Sequence, residues 1–498
     1  MPDTFPSAAI PASDGEAEHV DVLIVGAGIS GIDAAYHLQA RCKAKSWLIL
    51  EARDAIGGTW DLFRYPGVRS DSDMYTLGFP FRPWASDQSI VEGPAIRSYV
   101  EETARLYGID RRIRFGHRVT RAAWSSAEAR WTVDVETEAG TSRFRCAFLF
   151  LCSGYYDYHQ GYRPEWPGEA DFEGRIVHPQ FWPEDLDVAG QEIVVIGSGA
   201  TAVTLVPALA EEAAHVTMLQ RSPTYIVSRP SRDGIARWLQ RRLPRRLADR
   251  LVRWKNVLLG MLFFSRARKK PERVKEVLLK LAAADLPPDF DIQRHLSPRY
   301  NPWDQRLCLI PDGDLFEAIR QSKVAIATDE IASFTPDGLR LASGEELPAD
   351  IVVTATGLVV KLLGGIALEV DGEPVKIADR ISYKGMMLSD VPNMAVVFGY
   401  TNASWTLKCD LTSRYVCRLL NHMDRRGLAV CLPRLPDGPI ERQPMLDFSS
   451  GYVRRAEPFL PKQGPNPPWR VHQNYVRDLA ALRFGTVTDG VMEFRRAG

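Results

Sequence analysis

The same strand–glycine–helix pattern occurs twice in this chain, and it constrains the fold more than any other feature. The first copy is a β-branched strand, 20–25, followed by the glycine loop 26–31 and an apolar helical stretch. The second copy is the strand 192–196, the loop 197–202 and a helix through Leu209. A GxGxxG loop between a buried strand and a helix is the fingerprint of a Rossmann dinucleotide-binding fold. We therefore predict an α/β chain with two Rossmann-like dinucleotide-binding domains.

The three glycines of the first loop have different tasks. Gly26 permits the tight turn, Gly28 lets the backbone approach a pyrophosphate, and Gly31 lets helix and strand pack closely. The next strand, 47–50, ends at Glu51, whose carboxylate can accept both ribose hydroxyls and would repel a 2′-phosphate. This site suits FAD or NAD. The alternative interpretation is a glycine-rich turn with no ligand.

The strand that follows the second loop does not end in an acid, as the corresponding strand of the first site does. The residues of this loop, with alanine in place of the third glycine, are Gly197, Ser198, Gly199, Ala200, Thr201 and Ala202. The strand 215–219 then runs into Arg221 and Ser222. A guanidinium and a hydroxyl suit a 2′-phosphate, so we predict NADPH at this site; the alternative for Arg221 is a solvated surface arginine. Two dinucleotide sites in one chain suggest hydride relay from nicotinamide to flavin.

The domain order follows from two apolar runs that each close on a glycine, 148–154 and 351–357. A chain of 498 residues exceeds a single ordinary core. We interpret the two runs as the strands where the chain leaves and re-enters its first domain. The FAD domain is therefore predicted to be discontinuous, 19–155 and 352–498, with the NADPH domain inserted over 156–351.

Composition excludes several classes of protein. Lysine plus arginine and aspartate plus glutamate number 62 each, so net charge does not favour nucleic acid as a partner. Seven scattered cysteines without a CxxC pair predict a reducing compartment, with no disulfide framework, metal site or redox dithiol. Residues 1–18 are expected to be a disordered tail and not a signal peptide. The apolar run 257–264 is too short to cross a bilayer, so we expect a cytoplasmic location.

One segment of the inserted domain is strongly basic. Residues 229–280 carry 17 lysines and arginines against 4 acids, a difference of +13. Apolar side chains recur within it at helical spacing, at Leu239, Leu243, Leu247, Leu251 and Trp254. We favour a helical subdomain with a solvated basic face. The alternative is an amphipathic surface that makes weak peripheral contact with a membrane or with a lipid-like substrate.

Other stretches resemble the type I flavin-dependent Baeyer–Villiger monooxygenases. The segment from Phe172 to Pro183 matches their FxGxxxHxxxW fingerprint, which is followed by proline or aspartate, and the two nucleotide motifs flank it in the expected order. The chain is similar to a mycobacterial subgroup of that family over the stretches 58–67, 69–79, 301–309, 383–389 and 399–408.

This resemblance implies a reaction. It implies tightly bound FAD, NADPH as electron donor, and oxygen that adds to flavin C4a to form a peroxyflavin. One oxygen atom is then inserted beside a ketone carbonyl, giving an ester or lactone. The expected substrate is a small hydrophobic ketone, or a sulfide that is oxygenated at sulfur.

The resemblance also implies two catalytic residues. Arg306 matches the family's catalytic arginine, and anionic oxygen species need such a permanent cation. The alternative is an arginine that only pairs with an acid such as Asp304. Asp71 matches the family's active-site aspartate, which orients the arginine. Its alternative is a turn or cap residue, and Asp73 lies close by with the same possibilities.

Several further positions match cofactor contacts of the family. For NADP these are Arg69, Ser198, Thr201, Arg221 and Ser222; beside the flavin they are Ser30, Trp60, Asp71 and Val119. Thr59 and Ser70 are expected to contact a cofactor as well. His178 of the fingerprint is expected to couple nicotinamide binding to domain rotation, not to transfer protons. Two departures are Pro179, where the family often has threonine, and Gln305, where it commonly has lysine. The second departure leaves more of the 2′-phosphate recognition to Arg221.

Two competing functions remain open from sequence. One is an N- or S-hydroxylating flavin monooxygenase, which uses a protonated hydroperoxide. The other is a reductase that passes electrons to a partner protein, although a thiol relay would need a redox cysteine pair.

Overall fold

The computed structural model describes residues 17–497. The tail predicted over 1–18 lies outside the described residues except for its last two, and Glu18 already begins the first strand. The strands are β1 Glu18–Val25, β2 Trp47–Leu50, β3 Ile113–Arg114, β4 Arg118–Ser125, β5 Arg130–Thr137, β6 Gly140–Leu151, β7 Tyr156–Gly161, β8 Arg175–Val177, β9 Glu192–Ile196, β10 His215–Gln220, β11 Ile226–Arg229, β12 Cys308–Pro311, β13 Val324–Thr328, β14 Ile331–Thr335, β15 Gly338–Leu341, β16 Glu346–Pro348, β17 Ile351–Thr354, β18 Leu358–Val360, β19 Ala367–Val370, β20 Glu373–Pro374, β21 Ser382–Tyr383, β22 Met387–Leu388, β23 Met394–Val396, β24 Val430–Pro433, β25 Gln443–Pro444, β26 Lys462–Gln463 and β27 Met492–Arg495.

The helices alternate with these strands in both predicted Rossmann units. They are α1 Ile29–Arg41, α2 Thr59–Leu62, α3 Met74–Leu77, α4 Gly93–Leu106, α5 Ala200–Leu209, α6 Gly234–Arg242, α7 Arg245–Lys269, α8 Pro271–Ala284, α9 Ile292–His295, α10 Asp314–Arg320, α11 Trp405–Arg426, α12 Gly451–Ala456 and α13 Tyr475–Asp478.

The first sheet is built from two separate parts of the chain. Its strand order is β20-β19-β4-β5-β6-β1-β2-β3, and β23 pairs with the end of β6. Strand β1 lies between β2 and β6 and runs parallel to both. Its central residues Val22, Leu23 and Ile24 are fully buried, because helices or loops cover both faces of a parallel sheet. The first sheet thus combines strands from the beginning of the chain with strands β19, β20 and β23 from its later part.

The second sheet is parallel throughout, in the order β13-β10-β9-β17-β8. The prediction that the run 351–357 returns the chain to the first domain is wrong, because β17 lies between β9 and β8 of this second sheet. Val352 and Val353 are fully buried. Buried parallel strands of either domain have the same apolar composition, so the run itself does not reveal its sheet.

The two connections between the domains are paired with each other. Strands β7 and β18 are antiparallel neighbours. The Tyr162 N–H donates to the Gly357 carbonyl over 3.0 Å, and the Thr356 hydroxyl donates to the Tyr162 carbonyl over 2.6 Å. The chain therefore leaves and returns through one two-stranded ribbon.

The basic segment forms the three helices α6, α7 and α8. Arg253 on the inner side of α7 donates to the carbonyls of Tyr75 and Gly78, over 2.9 and 2.8 Å. These bonds tie the helix to the first domain. Among residues 17–497, no helix combines the length and the apolar character needed to span a bilayer.

Candidate active site

One continuous cleft of about 1560 Å³ is lined by both glycine loops. It contains Arg306 and most of the residues predicted to hold cofactors. Those lining it are Gly26, Gly28, Ser30, Glu51, Thr59, Trp60, Arg69, Ser70, Asp71, Val119, Gly197, Ser198, Gly199, Ala200, Thr201, Arg221 and Ser222. Three predicted cofactor residues, Gly31, Ala202 and His178, do not line the cleft.

The first glycine loop is folded tightly against the end of β6. Gly26 has a φ of +104°, and a Cβ there would lie 2.6 Å from the Cys152 carbonyl oxygen. A Cβ on Gly31 would lie 1.9 Å from the Gly26 carbonyl oxygen. Gly31 therefore packs α1 against its strand behind the loop instead of contacting a ligand. Gly28 caps α1 without a side chain, which leaves the helix N–H groups open to the cleft.

Glu51 lies where β2 meets the cleft, as predicted. One carboxylate oxygen accepts from the Ala27 N–H over 2.7 Å, and the other accepts from the Arg53 N–H over 3.0 Å. Burial raises the pKa of Glu51, although these backbone hydrogen bonds oppose the shift. Each oxygen retains a further lone pair, so the side chain can still accept ribose hydroxyls.

The second glycine loop has the same backbone arrangement as the first, with more open space around it. Gly197 has a φ of +142°, and a Cβ there would lie 2.3 Å from the Ala355 carbonyl oxygen. Around Gly199, by contrast, nothing lies within 4 Å of a built Cβ. Ala202 is fully buried in α5, so it packs the helix as the corresponding glycine does in the first domain.

Arg221 and Ser222 are exposed at the end of β10 and line the cleft. The Ser198 hydroxyl donates to the Ser222 carbonyl over 3.0 Å, which joins the glycine loop to this strand end. Arg221 makes no salt bridge to any residue between 17 and 497. Its guanidinium is thus free to meet an anionic group.

Arg69, unlike Arg221, is paired with an acid. Its Nη1 donates to Asp314 over 2.5 Å, whereas its Nε and Nη2 are buried and find no partner among the described residues. Burial raises the pKa of Asp314, and the charge of Arg69 opposes that shift. A buried guanidinium with two unused donors beside the cleft is suited to bind a polar ligand.

Arg306 and Asp71 form a bidentate ion pair in the cleft. Arg306 Nε donates to Asp71 Oδ2 over 2.5 Å, and Nη2 donates to Oδ1 over 2.6 Å. The Thr401 carbonyl lies 3.5 Å from Nη1. Burial alone would lower the pKa of Arg306, but the charge and hydrogen bonds of Asp71 outweigh it and the net shift is upward. The arginine is a permanent cation.

The nearby acids Asp304 and Asp73 have other partners, whereas Arg306 pairs with Asp71; the catalytic role of Arg306 stays a prediction. Asp304 pairs with Arg268 over 2.6 Å and not with Arg306. Asp73 caps α3 by accepting from the Thr76 N–H over 2.9 Å, so the cap function belongs to Asp73 and leaves Asp71 free to face Arg306.

His178 lies beside the ribbon that connects the domains. A Cβ on Gly161 would lie 1.9 Å from its ring. Its Nδ1 accepts from the Gln180 N–H over 3.2 Å, while Nε2 is buried without a partner among the described side chains. Burial lowers the pKa of His178, so the ring is neutral near pH 7. The prediction that it contacts a cofactor is not supported by this position, which is outside the cleft lining.

Sequence reasoning missed an aromatic wall near Arg306. Trp405 donates to the Ser30 hydroxyl over 2.8 Å and stacks on Tyr155, with ring centroids 5.1 Å apart. Tyr155 shares a 2.6 Å hydroxyl contact with Tyr156, and Tyr452 also lines the cleft. These residues lie in three distant segments. The similarity of 399–408 was the one signal that included Trp405.

The chain matches known proteins over nearly its whole length. Residues 23–255 match the family model described as pyridine nucleotide-disulphide oxidoreductase. FAD-containing monooxygenase EthA of Mycobacterium tuberculosis (strain ATCC 25618 / H37Rv) is 57% identical over 480 residues, covering 96% of this chain and 98% of EthA. The probable FAD-binding monooxygenase AlmA of Acinetobacter baylyi is 46% identical over 480 residues, covering 96% of each.

Solved structures show the same fold. An oxidized steroid monooxygenase bound to NADP is 22% identical with a TM-score of 0.75, covering 96% of this chain and all of that chain. An open cyclohexanone monooxygenase is 19% identical with a TM-score of 0.73 and equal coverage. Two Rossmann-like domains that share one cleft, together with the 57% and 46% identities to FAD-containing monooxygenases, define the class: the chain belongs to the type I Baeyer–Villiger family of flavin monooxygenases. Within that family it is similar to the FAD-containing monooxygenase EthA, so the predicted family and fold are both confirmed.

Proposed function

We propose that this chain is an NADPH- and O₂-dependent Baeyer–Villiger monooxygenase, with FAD on the first loop and NADPH on the second. The observation that carries the proposal is the bidentate pair of Arg306 with Asp71, in the same cleft as both loops. An ordinary dinucleotide reductase has no need of a fixed cation at that point. An enzyme that must stabilise negative charge on oxygen does.

The residues present fit both cofactors. Each glycine loop leads into a helix that has no side-chain cap, so the N-termini of α1 and α5 offer unpaired N–H groups to phosphates. Glu51 at the first site suits ribose hydroxyls and disfavours a 2′-phosphate. Arg221 at the second site favours one. The unused donors of Arg69 add a further contact for NADP.

FAD, when bound, supplies the chemistry of accepting a hydride from NADPH and activating O₂. The chain supplies the electrostatics. Arg306 holds a fixed positive charge beside the reacting oxygen and stabilises the oxyanion that develops on the substrate carbonyl. Asp71 fixes the plane of the guanidinium through two hydrogen bonds, so that no reorientation is needed during the reaction. Removing one such stabiliser costs about 3–4 kcal/mol, or hundreds-fold in rate.

The walls near Arg306 support a hydrophobic substrate. A small recess of about 20 Å³ beside Arg306 has apolar walls formed by Phe398, Leu446, Val453 and Leu460, together with the ring of Tyr155. Such walls exclude water from the reacting atoms and strengthen the effect of the arginine charge. We infer a small hydrophobic ketone as substrate, with sulfides as a second class.

The test replaces Arg306 with alanine in the holoenzyme. NADPH should still bleach the flavin at close to the normal rate, while ester formation from a ketone panel falls about a hundredfold or more. Arg340→Ala is the matched control, because that arginine pairs with Glu346 on an exposed hairpin away from the cleft. Ester formation that survives in Arg306→Ala would remove the residue from its proposed role.

The competing functions are separated by the same assay. Product masses from matched ketones and sulfides distinguish carbonyl insertion from sulfur oxygenation. The properties of Cys152 and Cys308, the two cysteines that line the cleft, argue against a thiol-relay reductase. Burial raises the pKa of Cys308 to about 12 and that of Cys152 well above its ordinary value, so neither is a reactive thiolate near neutral pH.

A further inference from the structure

Helix α7 presents an apolar stripe to solvent. Its members, spaced by three or four residues along one side of the helix, are Leu247, Leu251, Trp254, Leu258 and Leu262. Their exposed fractions run from 39% for Trp254 to 53% for Leu258. On the neighbouring helix α6, Ile235 and Trp238 are 57% and 58% exposed. A solvated basic face does not account for so many exposed large apolar side chains on adjoining helices.

Unpaired arginines surround this apolar stripe. Arg241, Arg242, Arg246, Arg250 and Arg266 are exposed and make no salt bridge within residues 17–497. Acids outside the segment pair with Arg232, Arg237 and Arg268, so the fold neutralises the net excess of 13 basic residues only in part. Apolar side chains with tryptophan, flanked by arginine, are the composition of helices that lie in the interface of anionic bilayers.

We propose that α6 and α7 dock this chain on the surface of an anionic lipid bilayer, with the apolar stripe inserted and the arginines against lipid phosphates. Charge complementarity selects this occupant. A second copy packed symmetrically on the same face would bring two strongly basic segments together. A soluble anion would leave the apolar stripe in water.

The inner side of α7 connects this surface to the cleft. Val257 packs against Tyr400 and Leu407, and Met261 and Ala403 join the same cluster. Tyr400 and Ala403 also line the cleft. The docked face is thus separated from the cleft wall by a single helix, about 10 Å across. If the proposed function holds, this arrangement places an apolar substrate dissolved in the bilayer close to the enzyme that oxygenates it; the docking itself does not depend on that function.

The experiment is flotation of the purified holoenzyme with two kinds of vesicle, one of phosphatidylcholine alone and one of equal parts phosphatidylcholine and phosphatidylglycerol. We expect binding to the anionic vesicles only, weakened by salt. The triple change R241Q/R242Q/R246Q should reduce binding about a hundredfold, since each basic residue near an anionic surface contributes about fivefold. The change L251E/L258E should reduce it at least about tenfold.

The control is Phe459→Glu, which replaces one apolar side chain by glutamate at a residue that is 71% exposed outside the basic segment. It should float like the unchanged protein. No flotation, or equal flotation of all variants, would overturn the proposal. So would a concentration-dependent dimer that L251E/L258E abolishes without any vesicle binding, because the stripe would then belong to a second copy. Binding is measured without turnover, so its failure is distinguishable from failure of the proposed oxygenation.

Discussion

The two glycine loops have the same backbone arrangement, but the protein packs more closely around the first loop than around the second. In the first domain, the loop is packed so closely that a Cβ on Gly31 would reach within 1.9 Å of a carbonyl oxygen. In the second domain, the corresponding position is Ala202, and Gly199 borders open space. The first loop is thus packed tightly against its own strand and helix, and the second loop borders open space at Gly199.

The strand ends show the same contrast in charge. Glu51 is buried and bound to two backbone N–H groups, whereas Arg221 is exposed and without an ion pair within the described chain. A buried, hydrogen-bonded carboxylate suits a cofactor that stays bound. An exposed guanidinium suits one that exchanges at every turnover. Under the proposed function, this contrast would distinguish a resident flavin from a diffusible nicotinamide.

The largest effect is expected from Gly31→Ala. The added methyl group would meet backbone, which cannot move aside, so we expect loss of FAD and destabilisation by at least about 1–3 kcal/mol. FAD content by absorbance and the thermal midpoint measure this. Gly199→Ala is the control: its Cβ meets nothing within 4 Å, so the fold and the flavin should remain while NADPH binding weakens. Full flavin content in Gly31→Ala would contradict the claim that the first loop is more tightly packed than the second.

The next effect is expected from Arg221→Ala. Loss of a charge-assisted contact to the 2′-phosphate should raise the KM for NADPH roughly tenfold to hundredfold. The KM for NADH should not change, because that nucleotide lacks the phosphate. Arg299→Ala, an exposed arginine outside the cleft lining, should leave both values unchanged. Equal effects on the two nucleotides would contradict the assignment of the second site.

A smaller effect is expected from Glu51→Gln. The amide keeps the size of the side chain, but its NH₂ group would face one of the two backbone donors that the carboxylate now accepts. Leaving that donor unsatisfied should weaken FAD affinity by about tenfold. Titration of the apoprotein with FAD measures the change. Unaltered affinity would mean that the carboxylate is not needed to hold the flavin nucleotide.

The smallest effect concerns His178 and pH. Burial lowers its pKa, so the folded protein holds the ring neutral while the unfolded chain takes up a proton near the ordinary pKa of about 6.5. Stability from this group is present above that pH and is lost as the pH falls through it. The thermal midpoint of His178→Gln should therefore fall less than that of the unchanged protein on acidification from neutral pH. Parallel falls would show that His178 does not contribute.

The sequence by itself determined the two Rossmann units, their order and the charges at the two strand ends. Those features depend on short patterns: a β-branched strand, glycines at set spacing, and the residue that follows the next strand. Because each pattern specifies a local backbone path, Glu51 and Arg221 could be placed before the structure was known.

Only the tertiary structure decided which acid meets Arg306, which sheet holds β17 and which side of α7 is exposed. Arg306 and Asp71 lie 235 residues apart in the chain, and the nearby Asp73 offers the same carboxylate. Strand β17 has the apolar composition of either sheet. Helical spacing predicts a stripe of leucines but not whether that stripe faces the core or the solvent. These outcomes depend on packing between distant segments, which no local pattern specifies.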